Sequence, residues 1–516
     1  MRRCARRRFA IVALAAGLSL SACGTRVSQQ DVVAGAGGST VSLDPASIAA
    51  LKSAGGPAAA PANENTAETA TATTTAAQAP SKPATASAAA PAAPLAQPSA
   101  ANRPATTRAK SPAAGAQAGI GPVTAVKPPA GTPAAPATAV RADAPCATPG
   151  APLKLGQIGS FSGVAGPITA NARTAVAAWA QAVNARGGVA CHPVVLYTAD
   201  DGADPAKAAS LVQDLVENKG VQALVGVFDA IGFPGIASAV EKIKVPVIGG
   251  DGIDFSWNEN PYLFPAGAGL LGDIRGSLAQ TIGSGKTNLG LLYCVEASVC
   301  TNVSKYLQDE VKKTTAHLTY TSAMSLTQPD FTAQCQNAKN AGVQAMGMAM
   351  DGASIGRVAR SCAAIDYHPQ FVTSGLVLSP QNAADPDIQR NTLSSASSVA
   401  PWMLDDTPGQ REFHAAMARY APALTPDADS ITAWAAGRLL EAVVHGLGAK
   451  ARTAAPVTTA DLFAGLATIH DETLDGLTPP MTFTAGQKSA PQIGCVYFEL
   501  LSDKGWTALN SKPQCR

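Results

Sequence analysis

The sequence predicts an α/β protein of two Rossmann-like, doubly wound lobes behind a disordered tether. Three observations carry this. The 516 residues change composition near Cys146: the residues before it are mostly Ala, Pro, Thr, Ser and Gly, and those after it include the large apolar side chains a core needs. From Leu153 onward strand and helix patterns alternate, the signature of parallel sheets. The alternation breaks and then restarts near Asn288. Single cores stop growing near about 250–300 residues, so the roughly 370 residues after Cys146 make two lobes.

The elements run in order along the chain. Leu153–Ile158 is an apolar strand closed by Gly159, and a helix from about Thr169 to Ala185 repeats its apolar face at Ala172, Val176, Trp179 and Val183. Val194–Thr198 is a strand ending in Asp200 and Asp201. Pro205–Glu217 is a helix with Ala208, Leu211, Val212 and Leu215 on one face. Val221–Phe228 is apolar apart from Gln222, as a strand buried on both faces reads. Ile236–Ile243 is a helix and Val245–Ile248 a strand. The second series has strands at Asn288–Tyr293, Leu318–Ser322, Val343–Met350 and Gln370–Thr373, with helices at Asn302–Lys313, Phe331–Ala341 and Ser354–Ile365 between them. Two longer helices, Gln410–Tyr420 and Ser430–Gly446, come next. Ile493–Leu501 and Trp506–Leu509 form a terminal hairpin around a polar turn.

The chain begins with five Arg and no acid in residues 1–22, and an apolar run extends from Phe9 to Leu20. That is a secretion signal. Its end, Leu20-Ser21-Ala22-Cys23, resembles a bacterial lipobox, in which the Cys is lipidated and becomes the first mature residue. Cys23 is therefore expected to anchor the chain to the outer face of the cell membrane. Residues 23–145 cannot bury enough apolar area to offset backbone ordering and read as a tether. The part after 145 carries 25 basic and 31 acidic residues. With no basic run interleaved with aromatics, nucleic acid is not the expected partner.

With Cys4 in the signal and Cys23 taking the lipid, eight of the ten cysteines remain: Cys146, Cys191, Cys294, Cys300, Cys335, Cys362, Cys495 and Cys515. Outside the cytoplasm an even number implies disulfides. The strand order favours pairing in sequence: 146 with 191 before two neighbouring strands, 294 with 300 across a short loop, 335 with 362 on successive helices, 495 with 515 around the hairpin. The short Cys pairs with partner His that a metal site needs are missing, so no metal is expected. His414 and His445 sit in helical stretches and read as structural.

Three glycine motifs invite a chemical reading. Gly267-Ala-Gly269-Leu-Leu-Gly272, with Glu296 beyond it, matches a dinucleotide fingerprint, which requires a proper preceding strand. Here Pro261 and Pro265 enclose Tyr262–Phe264, and Pro is excluded from central strands. A hinge and helix start fits better. Gly283-Ser-Gly285-Lys286-Thr287 lacks the first Gly of a phosphate loop and reads as a turn. Gly159-Ser160-Phe161-Ser162-Gly163 has Phe where a nucleophile elbow needs Ser. It sits where α/β sheets bind ligands, past the end of the first strand.

Taken in order, Gly156–Gly163, Val183–Val189, Asp200-Asp201 with Asp204-Pro205, Val225-Gly226, Val245–Ile248 and Met481–Gly486 make Leu153–Trp506 resemble the branched-chain amino-acid binding proteins of ABC transporters, the leucine-binding family with the type I periplasmic binding-protein fold. The resemblance implies a three-stranded hinge, with crossings near Phe264–Ala266, Val399–Trp402 and Phe483–Gln487. It divides the chain into residues 1–22 as signal, 23–145 as tether, 146–265 and 401–484 as the first lobe, and 266–400 and 485–516 as the second. It implies a monomer without cofactor or enzymatic activity, which closes on a small molecule and delivers it to an ABC permease. By this likeness the ligand meets Ser160, Phe161 and Ser162, Phe228, Asp229 and Ala230, Asp251 and Asp254, Val299 and Thr301, Asp351 and Leu376. The pattern departs from the namesake ligand at both ends. Asp229-Ala230-Ile231 stands where amino-acid binders place Ser or Thr against the carboxylate, and Gly375-Leu376 stands where they place a Glu against the ammonium. An amide, an aromatic or aliphatic acid, or a peptide fragment fits the apolar loops better. A sensor of the same fold without transport, and a dinucleotide-dependent enzyme, are the competing readings.

Overall fold

A computed structural model of the chain describes residues 148–163 and 165–515. The signal, Cys23, the tether and Cys146 lie outside the described residues.

The first lobe is built on five parallel strands: β1 (Leu153–Gly159), β2 (Val194–Asp200), β3 (Ala223–Val227), β4 (Val247–Gly250) and β5 (Leu263–Phe264). Their order is β2-β1-β3-β4-β5. Helices α1 (Gly166–Ala185), α2 (Pro205–Gln213) and α3 (Phe233–Ile243) connect them. Asp204 caps α2 by accepting from Ala206 N and Lys207 N, with Pro205 in the first turn. Every residue of β3 is buried because helices cover both faces of the sheet. Sequence reading excludes a strand between Pro261 and Pro265, yet β5 is there. It is two residues long and sits at the sheet edge, where proline is tolerated.

The second lobe starts with α4 (Leu270–Gly283). Strands β6 (Asn288–Cys294), β7 (His317–Met324), β8 (Ala345–Ala349), β9 (Gln370–Val372) and β10 (Leu393–Ser397) alternate with α5 (Ser298–Val311), α6 (Thr332–Asn340) and α7 (Gly352–Ala363). The chain then returns to the first lobe with α8 (Pro408–Tyr420), α9 (Ala428–Gly446) and α10 (Thr459–Leu466). It ends in the second lobe with β11 (Cys495–Ser502), β12 (Gly505–Ala508) and β13 (Gln514–Cys515). The second sheet runs β12-β11-β10-β9-β8-β6-β7, with β13 added to β11. Its β6–β10 part is parallel, and β11 and β12 are antiparallel.

Helix α9 is the apolar centre of the first lobe and packs against β3, β4 and the neighbouring α1. Two glycines make room for it. A Cβ on Gly249, whose φ is +64°, would lie 2.3 Å from the Ala436 Cβ, and a Cβ on Gly437 would lie 2.3 Å from the Trp179 ring. Trp179 Nε1 donates to Glu441 Oε1 at 2.8 Å, and Arg186 bridges Glu412 and Glu441 at 2.9 and 2.8 Å.

The three segments that join the lobes run side by side, and glycines let them touch. A Cβ on Gly267 would collide with Ser398 O at 2.1 Å, and one on Gly272 would sit 3.2 Å from Ile493 O. The fingerprint glycines thus serve the hinge. Ser398 Oγ donates to Ala268 O at 2.5 Å and approaches Asp273 Oδ1 at 3.0 Å, tying the first two segments together. The third stays against the first lobe past Phe483. Gln487 Nε2 donates to Pro261 O at 3.3 Å, Ala490 is buried in the first lobe's core, and the crossing falls at residues 491–494.

The disulfides Cys294–Cys300, Cys335–Cys362 and Cys495–Cys515 form as the strand order suggests. Cys191 is also disulfide-bonded.

Candidate ligand-binding site

In each sheet the strand order reverses once at a central position, between β1 and β3 and between β6 and β8. Loops at the carboxyl ends of such strands diverge and leave a crevice, where open α/β sheets take their ligands. Here the two crevices face each other. Between them lies a cavity of about 430 Å³, within the range of small-molecule sites. The first lobe contributes Ala165 and Ile168 at the start of α1, Ala230 and Ile231 after β3, and Ile253 after β4. The second contributes the Cys294–Cys300 loop, Leu326 and Thr327 after β7, Met350 and Asp351 after β8, and Thr373 and Ser374 after β9. From there the cavity continues into the second lobe, between α4, α5 and the sheet.

The lobes meet around it. Phe255 of the first stacks on Tyr306 of the second, with ring centroids 4.3 Å apart and planes within 18°. On the other side Leu376 is buried in the first lobe's main cluster, and Trp402 meets Trp506 edge-on at 5.2 Å.

Of the residues expected to meet a ligand, Ala230, Val299 and Asp351 line the cavity. The others are placed elsewhere, each for a physical reason. Ser160 is fully buried, its Oγ 2.9 Å from Asp201 Oδ1 and 2.7 Å from Asp229 Oδ1. One hydroxyl proton cannot serve two ionised carboxylates. Burial, with the Asp201 carboxyl hydrogen-bonded beside it, pushes Asp229 up to about 8, so the set carries an extra proton near neutrality. Asp229 Oδ1 also accepts from Gly232 N at 2.7 Å, bracing the turn into α3. Asp251 accepts from Asp229 N at 2.7 Å, and burial raises it to about 7. Asp254 accepts from Ser256 N at 2.8 Å. These three carboxyls hold loop backbone. Phe228 is core, Phe161 lies under the Arg173 guanidinium, and Ser162 and Thr301 are exposed. Leu376 is consumed in the contact between lobes.

The charged lining residues are Asp273, Asp351 and Arg357. Asp351 caps α7, accepting from Ala353 N at 2.9 Å and Ser354 N at 3.0 Å. Asp273 faces Ser398 at the hinge, and burial holds it well above the usual carboxylate range. Arg357 donates to Leu326 O at 2.6 Å and Gln328 O at 3.0 Å. A carboxylate and an ammonium group on one carbon therefore meet no matched pair of partners in this lining.

Sequence reading misses Ile274 and Leu278 on α4 and Gly347 and Ala349 on β8, all of which line the cavity. Signals for them are present. Leu270, Ile274 and Leu278 recur every four residues on one helical face, and β8 alternates small and large as Ala345-Met346-Gly347-Met348-Ala349.

The family model for periplasmic binding proteins matches residues 152–500, and the chain belongs to that family. Among curated protein sequences nothing matches at a significant level. Solved structures similar to the chain include a fatty acid ABC transporter substrate-binding protein from Thermomonospora curvata, at 18% identity over 71% of this chain and 94% of that one, with a TM-score of 0.62. A solute binding protein of an R. palustris ABC transporter, in complex with benzoate, matches at 15% identity over 70% of this chain and 97% of that one, TM-score 0.57. A branched-chain amino acid transporter substrate binding protein from Streptococcus pneumoniae, in complex with isoleucine, matches at 16% identity over 71% and 100%, TM-score 0.56. At these identities the likeness establishes the type I periplasmic binding-protein fold. Among the described residues no helix is long and apolar enough to cross a membrane.

Proposed function

We propose that this chain is an extracytoplasmic solute-binding protein, held to the membrane by lipid on Cys23, that captures a small organic acid or amide and hands it to an ABC importer. The observation that carries the reading is the cavity between the two switch points, with apolar walls and no partners for a zwitterion. The structurally similar proteins named for fatty acid and benzoate belong to ABC transport systems, which supports the importer and the class of ligand. Binding without chemistry fits a lining whose two carboxyls are engaged elsewhere, Asp351 as the cap of α7 and Asp273 with Ser398 at the hinge.

A thermal-shift panel on the mature chain tests this, with leucine, valine, aromatic acids, aliphatic acids, amides and NAD. A ligand at 100 times its Kd stabilises a fold by about 2.7 kcal/mol. The expected result is a shift with acids or amides and none with leucine. A shift with leucine restores the namesake ligand, and a shift with NAD alone overturns the binding-protein reading. Radiolabelled palmitate should enter the wild-type chain and not Cys23→Ala.

A further inference from the structure

The cavity does not end between the lobes. It continues along strands β6, β8 and β9 of the second sheet, lined from Cys294 at the carboxyl end of β6 to Leu289 near its start. Five residues of strand span about 16 Å. Opposite, α4 runs beside it from Leu270 at the cleft to Thr281 near its own end.

The sequence of β8 opens this space. On the face toward α4 and α5 it presents Ala345, Gly347 and Ala349; Met346 packs into the core on the other side, and Met348 belongs to that core while also touching the cavity. β8 is a central strand, flanked by β6 and β9 and walled by helices, and its side chains should be sealed. Yet Gly347 and Ala349 are only half-buried, as is Val372 on β9. What they face is the cavity. Side chains too short to reach the helices have left a void in a packed core, which in a tightly packed interior costs stability unless something fills it.

The chemistry of the two ends differs. Arg357, Asp351, Thr327 and Ser374 lie at the cleft end; Arg357 is held there by the Leu326 and Gln328 carbonyls, and Asp273 follows on α4. At the far end the Thr281 hydroxyl is spent on Ser277 O at 2.7 Å, and the neighbours there are Leu278 and Leu289. One end takes a polar group and the other a hydrocarbon. At about 1.25 Å of advance per carbon, from bonds of about 1.5 Å at tetrahedral angles, 16 Å holds about a dozen carbons.

Resting on the solute-binding reading above, we propose that the ligand is a single-chain amphiphile. An unbranched acyl or alkyl chain of about a dozen carbons lies inside the second lobe, between α4, α5 and β8, with its polar head in the cleft. An aromatic ring or a branched side chain would occupy the cleft end alone.

The test is calorimetric titration of the mature chain with n-carboxylic acids of four to sixteen carbons, and with n-alkanols of the same lengths to separate chain from head. Each added methylene should tighten binding about fourfold, levelling off near twelve carbons. Two variants narrow the tunnel from different helices, Ser277→Phe on α4 and Val303→Trp on α5. Each should weaken dodecanoate binding at least thirtyfold, leave butanoate binding within about twofold, and melt within a few degrees of wild type. Affinity that stops rising beyond six carbons overturns the proposal, as does dodecanoate binding that both folded variants leave intact. If benzoate or short acids bind without dependence on length, the solute-binding reading stands and the chain proposal falls. If no acid, alkanol, amide or amino acid binds, both fall.

Discussion

Asp229 shows how one buried carboxyl separates a structural role from a binding one. The resemblance assigns it to the ligand, but its oxygens face Ser160, Asp201 and the amides of Ile231 and Gly232. It holds its proton to about pH 8 in the fold but only to about 3.9 in the unfolded chain. Between those values the folded chain binds more protons, so stability falls as pH rises. The contribution is complete below about pH 4 and gone above about pH 8. Asp251, raised to about 7, acts in the same direction. In Asp229→Asn an amide replaces the protonated carboxyl and no longer titrates. The loss of melting temperature between pH 5 and pH 8 should shrink by about 2 °C or more, with ligand affinity unchanged. An Asp229→Asn protein that keeps the wild-type pH profile and loses its ligand would return Asp229 to the binding site.

At the scale of elements, the contact between α1 and α9 rests on the missing side chain of Gly437, against which Trp179 lies. Gly437→Ala gains helix propensity but must displace the indole. Overpacking of this kind costs about 1–3 kcal/mol, visible as a lower urea midpoint at unchanged slope. The Cys335–Cys362 bond closes a loop of sequence separation 27 between α6 and α7. Replacing both cysteines with Ala should cost about 3–4 kcal/mol by loop entropy. Most of these elements are legible because burial imposes a period on them. ALVGV in β3 and the apolar repeat of α1 admit few other readings. β10 escapes because its sequence is LSSAS, with no apolar period, although all five residues are buried. Its hydroxyls find backbone partners instead: Ser395 Oγ accepts from Gly375 N at 2.8 Å and Ser394 Oγ donates to Phe371 O at 3.4 Å. The cavity was hidden for a related reason. Pattern reading shows which face a residue takes and not whether the facing side chains are long enough to meet.

At the scale of the molecule, the proposed binding function requires two lobes that part and meet. A ligand favours closure only by binding the closed arrangement better than the open one. The Phe255–Tyr306 stack adds to that closed arrangement whatever the ligand is. A stacked pair contributes about 0.5–1.5 kcal/mol, so Phe255→Ala should weaken binding about two- to tenfold, mostly through faster release. Small-angle scattering of the unliganded variant should show a larger radius of gyration than wild type. Unchanged affinity and radius would mean that the stack is incidental to closure. The tryptophans carry a consequence of a different kind. Of the five, Trp179, Trp257 and Trp434 are sealed in the first lobe, where hinge motion leaves their surroundings alone. Trp402 and Trp506 touch across the lobes, with Trp402 at the second crossing, so a change of hinge angle should alter their contact. The protein should thus carry its own optical gauge: a steady background from three indoles, and two whose emission is expected to change in colour and strength if the hinge moves, with no label attached.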